Sequence, residues 1–242
     1  RVVIEQICRE RGAPLVELSR DFHYAYQPGQ IANGASAGCY LCRPGVQVST
    51  RRHQWTSMEL GLLGEHQAAN AAVAVACVEQ LRARGWHIPD RAVSWGLAHV
   101  SWPARLEIVA RQPLVVLDCA HNVASAAALV ETLRTSFPPR RRLLVFAASN
   151  DKDVAGMFRE LAPHFSHAFL TRFTSNPRSV PPEQLADLLK RCGVLPCTTH
   201  ATAREAMQAA RAAAGQDSLI CIAGSVYLAG ELRPMLVGET AS

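Results

Sequence analysis

The clearest pattern in the chain begins near residue 114, where short apolar runs alternate with longer segments of helical spacing. Short apolar runs bounded by turn residues predict strands, and apolar residues recurring every three or four positions predict helices. Regular alternation of the two is typical of an α/β fold with a mostly parallel, helix-covered sheet. The predicted strands span residues 114–117, 143–147, 167–171, 195–199 and 219–223, and the predicted helices span about 123–136, 152–162, 182–192, 201–214 and 225–236.

The first hundred residues follow a different pattern. Residues 21–38 are rich in Gly, Ala, Asn and aromatic residues without a sustained period, which predicts a long loop. Alternating apolar residues at 40–54, around a Pro-Gly pair, predict a β-hairpin. The remaining predictions are the end of a helix at 1–13, an Ala-rich helix at 66–84 that stops at a glycine, and a helix at 90–98 with Asp90 as its N-cap.

This change of pattern predicts two domains, at residues 1–108 and 109–242 of a chain long enough for both. The chain begins without a methionine and inside a helical pattern, so we expect it to start in the middle of something larger. No apolar run reaches the roughly 18 residues of a membrane span, and no signal-peptide pattern opens the chain. We therefore expect a cytoplasmic protein that does not interact with membranes.

The net charge of +5 conceals a bias toward arginine, because the chain has 23 Arg and only two Lys. The densest basic cluster, residues 140–142, follows two prolines at the start of a predicted strand. No aromatic residues are interleaved with it, so we predict a solvated loop rather than a nucleic-acid surface. The excess of positive charge remains compatible with acidic small molecules such as nucleotides.

The eight cysteines offer one candidate metal site. Cys39 and Cys42 have the spacing of half a zinc site, and Cys192 and Cys197 would have to supply the other half. The second pair has four intervening residues and falls in the other predicted domain, so the match is weak. We predict free thiols in a reducing cytoplasm and no metal ligands in this chain.

Polar residues follow the predicted parallel strands, whose carboxyl ends share one edge where ligands bind. Taken singly, each has a structural alternative: Asp118 or Ser225 could cap a helix, and His121 could be a structural hydrogen-bonding residue. Their convergence on one edge favours a ligand site. No G-x-G-x-x-G and no Walker A sequence occurs, so neither a dinucleotide site nor a P-loop is predicted here. The first strand delivers Asp118, His121 and Asn122, the second Ser149 to Asp153, the third Thr171, Ser175, Asn176 and Arg178, and the last Gly224 and Ser225.

Five blocks follow one another along the chain: residues 63–70 (LGEHQAAN), 102–107 (WPARLE), 118–122 (DCAHN), 151–153 (DKD) and 224–230 (GSVYLAG). In this order they resemble the C-terminal half of folylpolyglutamate synthase and dihydrofolate synthase, members of the Mur-ligase superfamily. The family pattern reads W-P-G-R and D-G-A-H-N-P, so Ala104 and Cys119 stand where the family has glycines and Val123 where it has proline. Glycine tolerates backbone conformations that other residues avoid, which makes positions 104 and 119 informative.

The resemblance implies a ligase that adds L-glutamate to dihydropteroate, folates or both. ATP phosphorylates a carboxylate of the acceptor, and the amine of glutamate attacks the acyl phosphate to form an amide. Residues 1–108 would be the end of a P-loop-type central ATPase domain, and residues 109–242 a Rossmann-like C-terminal domain. The P-loop, the folate pocket and the ligands of Mg²⁺ would lie outside this chain, and the segment alone would be inactive. We expect a monomer acting on small molecules.

The resemblance also assigns roles to three residues near ATP. Asn70 would contact the adenine, Arg105 would neutralise charge on the γ-phosphate during transfer, and Asp118 would accept hydrogen bonds from ribose hydroxyls.

Three further residues would hold glutamate. They are His121, Lys152 and Ser225, with the last two facing its carboxylates. Arg105, His121 and Lys152 are thus the predicted catalytic residues.

Two alternatives stay open. The first is a binding module for nucleotides or amino acids that has lost catalysis. The replaced glycines and the missing P-loop favour it, whereas the retention of Asn70, Arg105, Asp118 and His121 together argues against it. The second is a related ligase for a peptidoglycan precursor, which the first and last of the five blocks disfavour.

Overall fold

The computed structural model describes residues 1–31, 40–138 and 140–239, which form two compact units. The first unit comprises residues 1–29 and 42–100, and the second the described residues of 30–41 and 101–242. The division falls between Val100 and Ser101, whereas the predicted boundary at 108/109 falls within a strand.

The first unit is an antiparallel sheet packed against an Ala-rich helix. The sheet order is β1-β4-β5, and the buried faces of its strands contact the helix α2 through Phe22, Val48 and Trp55. Small side chains such as Ala68 and Ala72 let this helix approach the sheet closely. The elements of this unit are α1 Val2–Glu10, β1 Phe22–Gln27, β4 Gly45–Thr50, β5 Gln54–Glu59, α2 Glu65–Arg82 and α3 Asp90–His99. The strands β2 Gln30–Ile31 and β3 Tyr40–Cys42 form a separate two-stranded sheet, which falls mainly in the second unit.

Three predictions for this region were wrong. Residues 21–38 were predicted as a loop, yet β1 lies at Phe22–Gln27, because pairing with β4 along its whole length stabilises an extended segment of mixed polarity. The part of this prediction at 32–38 lies outside the described residues. The predicted hairpin at 40–54 is shifted: β4 pairs with β5, so the turn lies at 51–53 rather than at the Pro-Gly pair. Asp90 is the first residue of α3 and not its N-cap, and it pairs with Arg82 and His53 instead.

The second unit confirms the predicted α/β fold. Its six-stranded sheet has the order β10-β9-β8-β11-β7-β6, and all pairs are parallel except β6 with β7. Every residue of β7 and of β11 is buried, which explains their uninterrupted apolar sequences. The elements are β6 Glu107–Arg111, β7 Leu114–Leu117, α4 Val123–Ser136, β8 Arg142–Phe146, α5 Val154–Leu161, β9 His167–Leu170, α6 Pro182–Cys192, β10 Cys197–Thr199, α7 Ala203–Ala213, β11 Leu219–Ala223 and α8 Val226–Glu239.

Helices cover both faces of this sheet. The chain moves in one direction from β8 to β10 and then returns to β11, so right-handed crossovers place α7 on the face opposite to α5 and α6. Residues of α7 and α8 form one buried cluster with alternate residues of the strands, including Val115, Val145 and Ile222. The edge strand β6 was not predicted.

The arginines at 140–142 do not form the predicted solvated loop. Arg142 is partly buried in β8, and its Nη2 donates to the carbonyl oxygen of Leu133 at 2.8 Å. Arg141 donates from Nη1 to the carbonyl oxygen of Ala213 at 2.9 Å. Both side chains therefore satisfy helix carbonyls at the amino-terminal edge of the sheet. Cys39 lies outside the described residues, and the other seven cysteines are free.

Candidate functional site

The carboxyl ends of β7, β11 and β8 are tied together by backbone hydrogen bonds. The N–H of Asp118 donates to the carbonyl oxygen of Ile222 at 2.9 Å, and the N–H of Gly224 donates to that of Ala120 at 2.8 Å. Gly224 has a φ of 109°, and a Cβ there would collide with the carbonyl oxygen of Ala147. Only glycine fits this crossing. The predicted edge therefore exists as one backbone-connected surface.

Asp118 is buried at this edge, with 6% of its surface exposed. Its Oδ2 accepts the N–H of Leu106 at 2.9 Å, and its Oδ1 accepts the N–H of Ala120 at 2.7 Å. Burial raises the pKa of Asp118, although these two N–H groups and the charge of Arg105 oppose that shift. The carboxylate does not cap α4, because Asn122 does so with a capping box closed by Ser125.

The segment from Ala104 to Glu107 forms a tight turn that includes Arg105. The carbonyl oxygen of Ala104 accepts the N–H of Cys119 at 2.9 Å, and the N–H of Ala104 donates to Oε2 of Glu107 at 2.8 Å. Glu107 also forms a two-point ion pair with Arg233 of α8, at 2.9 and 2.8 Å. Arg105 is thus flanked by anchored residues on both sides.

Two residues of this turn have left-handed backbone conformations. Ala104 has a φ of 57° and Leu106 a φ of 49°. Ala104 therefore adopts a conformation that favours glycine, at a cost of about 1 kcal/mol or more for a residue with a Cβ. Cys119, at the other replaced glycine, has no positive φ.

The guanidinium of Arg105 makes no hydrogen bond or ion pair with any of the residues at 1–31, 40–138 or 140–239. It interacts electrostatically with Asp118 and Cys119. The side chain is partly exposed. A cation on an anchored backbone, whose five donors have no partner among the described residues, is suited to an anion.

His121 is exposed just before α4. Its Nδ1 lies 2.9 Å from the carbonyl oxygen of Cys119, which can only accept, so Nδ1 carries the hydrogen. In the neutral ring Nε2 is then an acceptor. Its backbone N–H donates to Oγ of Ser125 at 3.0 Å, which fixes the residue to the first turn of the helix.

Lys152 belongs to a group of charged side chains beyond β8. Its Nζ lies 2.9 Å from Oδ2 of Asp151, and Nη1 of Arg178 lies 3.6 Å from the same oxygen. The hydrogen bond from Lys152 lowers the pKa of Asp151, and the charge of Arg178 adds to that shift. Asp153 caps α5 by accepting the N–H of Gly156 at 2.8 Å.

Ser225 is buried at the start of α8, with 3% of its surface exposed. Its Oγ accepts the N–H of Tyr227 at 3.1 Å. This contact is that of a hydroxyl capping the start of a helix, the structural alternative considered for Ser225 above. Its side chain can still donate its own hydrogen.

Asn70 lies on α2 in the first unit, apart in sequence from the other five predicted residues. It is exposed, and its Nδ2 donates to Oε1 of Gln67 at 3.2 Å. The amide of Gln67 in turn lies 3.1 Å from Nε2 of His66. His66, Gln67 and Asn70 of the block at 63–70 therefore form one hydrogen-bonded row. The other five predicted residues all belong to the second unit.

Two glutamates that support the site were not assigned by sequence. Glu107 was part of a recognised block, but its partner Arg233 is 126 residues away. Oε1 of Glu231 accepts the N–H groups of Thr174 and Ser175, at 2.6 and 2.8 Å, and so holds the loop after β9. No local signal predicts either contact. Within the described ranges, no group of three or more His, Cys, Asp or Glu could hold a metal ion.

Comparison with known proteins identifies the family. Residues 104–226 match the family described as Mur ligase, glutamate ligase domain. The chain belongs to the Mur ligase family. It is 36% identical over 231 residues to the dihydrofolate synthase/folylpolyglutamate synthase of Mycobacterium tuberculosis, covering 89% of this chain and 46% of that protein. It is 34% identical over 187 residues to a probable bifunctional folylpolyglutamate synthase/dihydropteroate synthase of Halobacterium salinarum, covering 77% and 22%.

A solved structure extends the likeness to three dimensions. The folylpolyglutamate synthase of Mycobacterium tuberculosis complexed with ADP and AMPPCP superposes with a TM-score of 0.81 and 30% identity, covering 97% of this chain and 52% of that one. The predicted resemblance to this ligase family is thus confirmed. The chain spans about half of these Mycobacterium proteins, and less of the Halobacterium one. No helix in the described ranges is long and apolar enough to cross a membrane.

Proposed function

We propose that this chain supplies the part of an ATP-dependent ligase that binds L-glutamate. The ligase adds L-glutamate to dihydropteroate, folates or both through an acyl phosphate. One observation carries the proposal: the turn at 104–107 holds the backbone of Arg105 between anchored residues, and its guanidinium makes no hydrogen bond or ion pair with a described residue, in a chain of the Mur ligase family. A fixed cation of this kind stabilises negative charge that develops during phosphoryl transfer.

In the first step, a carboxylate oxygen of the acceptor attacks the γ-phosphorus of ATP, and ADP leaves. Arg105 neutralises charge on the transferring group. Asn70 would contact the adenine, and Asp118 the ribose hydroxyls. Each oxygen of Asp118 already accepts one backbone N–H, and each has a second lone pair. We assign no Mg²⁺ ligand to the described residues.

In the second step, the amine of glutamate attacks the acyl carbon, the amide bond forms and phosphate leaves. An ammonium cannot attack, so a proton must be removed first. The free Nε2 of His121 is an acceptor for it, since its Nδ1–H is held by a carbonyl. Lys152 and the hydroxyl hydrogen of Ser225 would face the carboxylates of glutamate.

The test measures ATP-dependent phosphate release by the complete protein, with L-glutamate and either dihydropteroate or a reduced folate. We expect glutamate-dependent turnover, and a fall of about 10²-fold or more in Arg105→Ala, as for the loss of a contact to transition-state charge. Arg111→Ala, which removes an exposed arginine at the end of β6, is the control and should retain activity.

Two results would change the proposal. If the complete protein turned over and Arg105→Ala matched the wild type, the phosphate role of Arg105 would be wrong. If no folate acceptor supported turnover, a non-catalytic module that binds nucleotides or amino acids would replace the ligase, and the capping contacts of Ser225 would then be its whole role.

A further inference from the structure

Arg178 occupies a position beside the predicted glutamate residues that no role above explains. Its carbonyl oxygen accepts the N–H of Asn150 at 2.9 Å, and the N–H of Val180 donates to the carbonyl oxygen of Ala148 at 2.9 Å. A β-bridge joins Ser149 to Ser179 between these bonds. Backbone hydrogen bonds therefore hold the segment carrying Arg178 against the segment that leads into Lys152.

The side chain of Arg178 shares one carboxylate with Lys152. Both cations contact Oδ2 of Asp151, at 3.6 and 2.9 Å, and the exposed fractions of the side chains are 51% for Arg178, 33% for Lys152 and 40% for Asp151. Two cations facing one carboxylate leave an excess of positive charge. Ion pairs at this level of exposure stabilise proteins little, so a second carboxylate can displace Asp151 at small cost.

Tyr227 connects Arg178 to the first turn of α8. Its hydroxyl oxygen accepts from Nη2 of Arg178 at 3.4 Å, and its backbone N–H donates to Oγ of Ser225 at 3.1 Å. The ring packs on Phe173, with centroids 5.1 Å apart. Because the oxygen is the acceptor in the contact with Arg178, the hydroxyl hydrogen remains available, and no described residue accepts it.

We propose that Arg178, with the hydroxyl of Tyr227, binds the side-chain carboxylate of the amino-acid substrate and selects acidic over neutral amino acids. Asp151 holds Arg178 and Lys152 in place until the substrate carboxylate arrives. The planar guanidinium matches a carboxylate at two points, which an amide cannot reproduce with equal strength. The assignment rests on the proposed function, because it names a further specificity-determining residue for that reaction.

The experiment compares Arg178→Gln with wild type in the complete protein, using L-glutamate and its neutral isostere L-glutamine. We expect the KM for L-glutamate to rise by about 10- to 100-fold, as for the loss of a charged hydrogen-bonded partner, with the KM for ATP unchanged. The preference for L-glutamate over L-glutamine in kcat/KM should fall by a similar factor. Arg178→Lys should recover part of that preference, and Tyr227→Phe should lose a smaller part.

Arg172→Gln is the matched control. Arg172 is another exposed arginine after β9, but its Nε donates to the carbonyl oxygen of Ala201 at 3.3 Å and not toward Asp151. Its KM for L-glutamate should equal that of wild type. Equal unfolding midpoints in all variants would show that folding is intact.

The assignment would be overturned if Arg178→Gln kept the wild-type preference for L-glutamate over L-glutamine. It would also be overturned if the KM for ATP rose as much as the KM for L-glutamate. In either case the ligase proposal would stand. A wild-type protein without glutamate-dependent turnover would overturn both. The two failures are therefore distinguished by the wild-type assay alone.

Discussion

Asp118 and Asp151 both follow parallel strands at the same edge of one sheet, yet their surroundings differ. Asp118 is buried and accepts two backbone N–H groups, whereas Asp151 is partly exposed and contacts two partly exposed cationic side chains. Their pKa values shift in opposite directions, raised by burial for Asp118 and lowered by Lys152 for Asp151.

The difference separates two tasks within one site. Backbone donors cannot leave Asp118 without local unfolding, so this carboxylate fixes the turn that carries Arg105. Side-chain cations can exchange one carboxylate for another, so Asp151 keeps Lys152 and Arg178 ready for a ligand. We infer that the phosphate side of the site is rigid by construction and that the amino-acid side is exchangeable.

The largest effect on stability is expected from Asp118→Ala. It leaves the N–H groups of Leu106 and Ala120 buried without an acceptor, which should lower the free energy of unfolding by about 3 kcal/mol. Urea denaturation, followed through the unfolding transition of the second unit, measures this loss of free energy. Asp151→Ala, the same change at an exposed carboxylate, should have a much smaller effect. Equal losses in the two variants would contradict the comparison.

The pH dependence sharpens this result. The pKa of Asp118 lies above its ordinary value of 3.8, so its contribution to stability is largest below that pH and declines as pH rises through the folded-state pKa. The pKa of Asp151 lies below 3.8, so its contribution is present above that pH and is lost as pH falls. The stability gaps between wild type and the two Asp→Asn variants should therefore change with pH in opposite senses. Slopes of the same sign would contradict this assignment of causes.

A smaller effect is expected from Ala104→Gly, which relieves the left-handed conformation in the rigid turn. The free energy of unfolding should rise by about 0.5 kcal/mol, since the strain removed exceeds the added entropy of the unfolded chain. Ala124→Gly, in the exposed first turn of α4, is the matched control and should cost up to about 1 kcal/mol. Destabilisation by both changes would show that Ala104 is not strained.

Much of this architecture could be predicted because local patterns decide it. The strands β7, β8, β9 and β11 are short buried runs, and their apolar sequences show this directly. β1 and β6 were missed because each carries polar residues and becomes a strand only by pairing. The partner of β1 is β4, which is distant in sequence, and β6 pairs with β7 in an irregular register. Strand pairing of this kind is a tertiary property.

The candidate site could be predicted as a set of residue types but not as a set of contacts. The strand ends identified Asp118, His121 and Lys152, since parallel strands share one carboxyl edge. The sequence gives no sign that Asp118 accepts the N–H of Leu106 or that Glu107 pairs with Arg233, because those partners meet only when the turn and α8 are packed. The supporting contacts therefore required the structure.

The most direct test of the proposed chemistry follows oxygen atoms. The carboxylate of the folate acceptor is labelled with heavy oxygen, and the complete protein is supplied with ATP and L-glutamate. Attack of that carboxylate on the γ-phosphorus leaves one labelled oxygen bridging carbon and phosphorus, and amide formation releases it with phosphate. We predict one labelled oxygen in each phosphate, in equal amount to the glutamate-extended product. Amide product accompanied by unlabelled phosphate would contradict the acyl phosphate, and with it the role of the Arg105 turn.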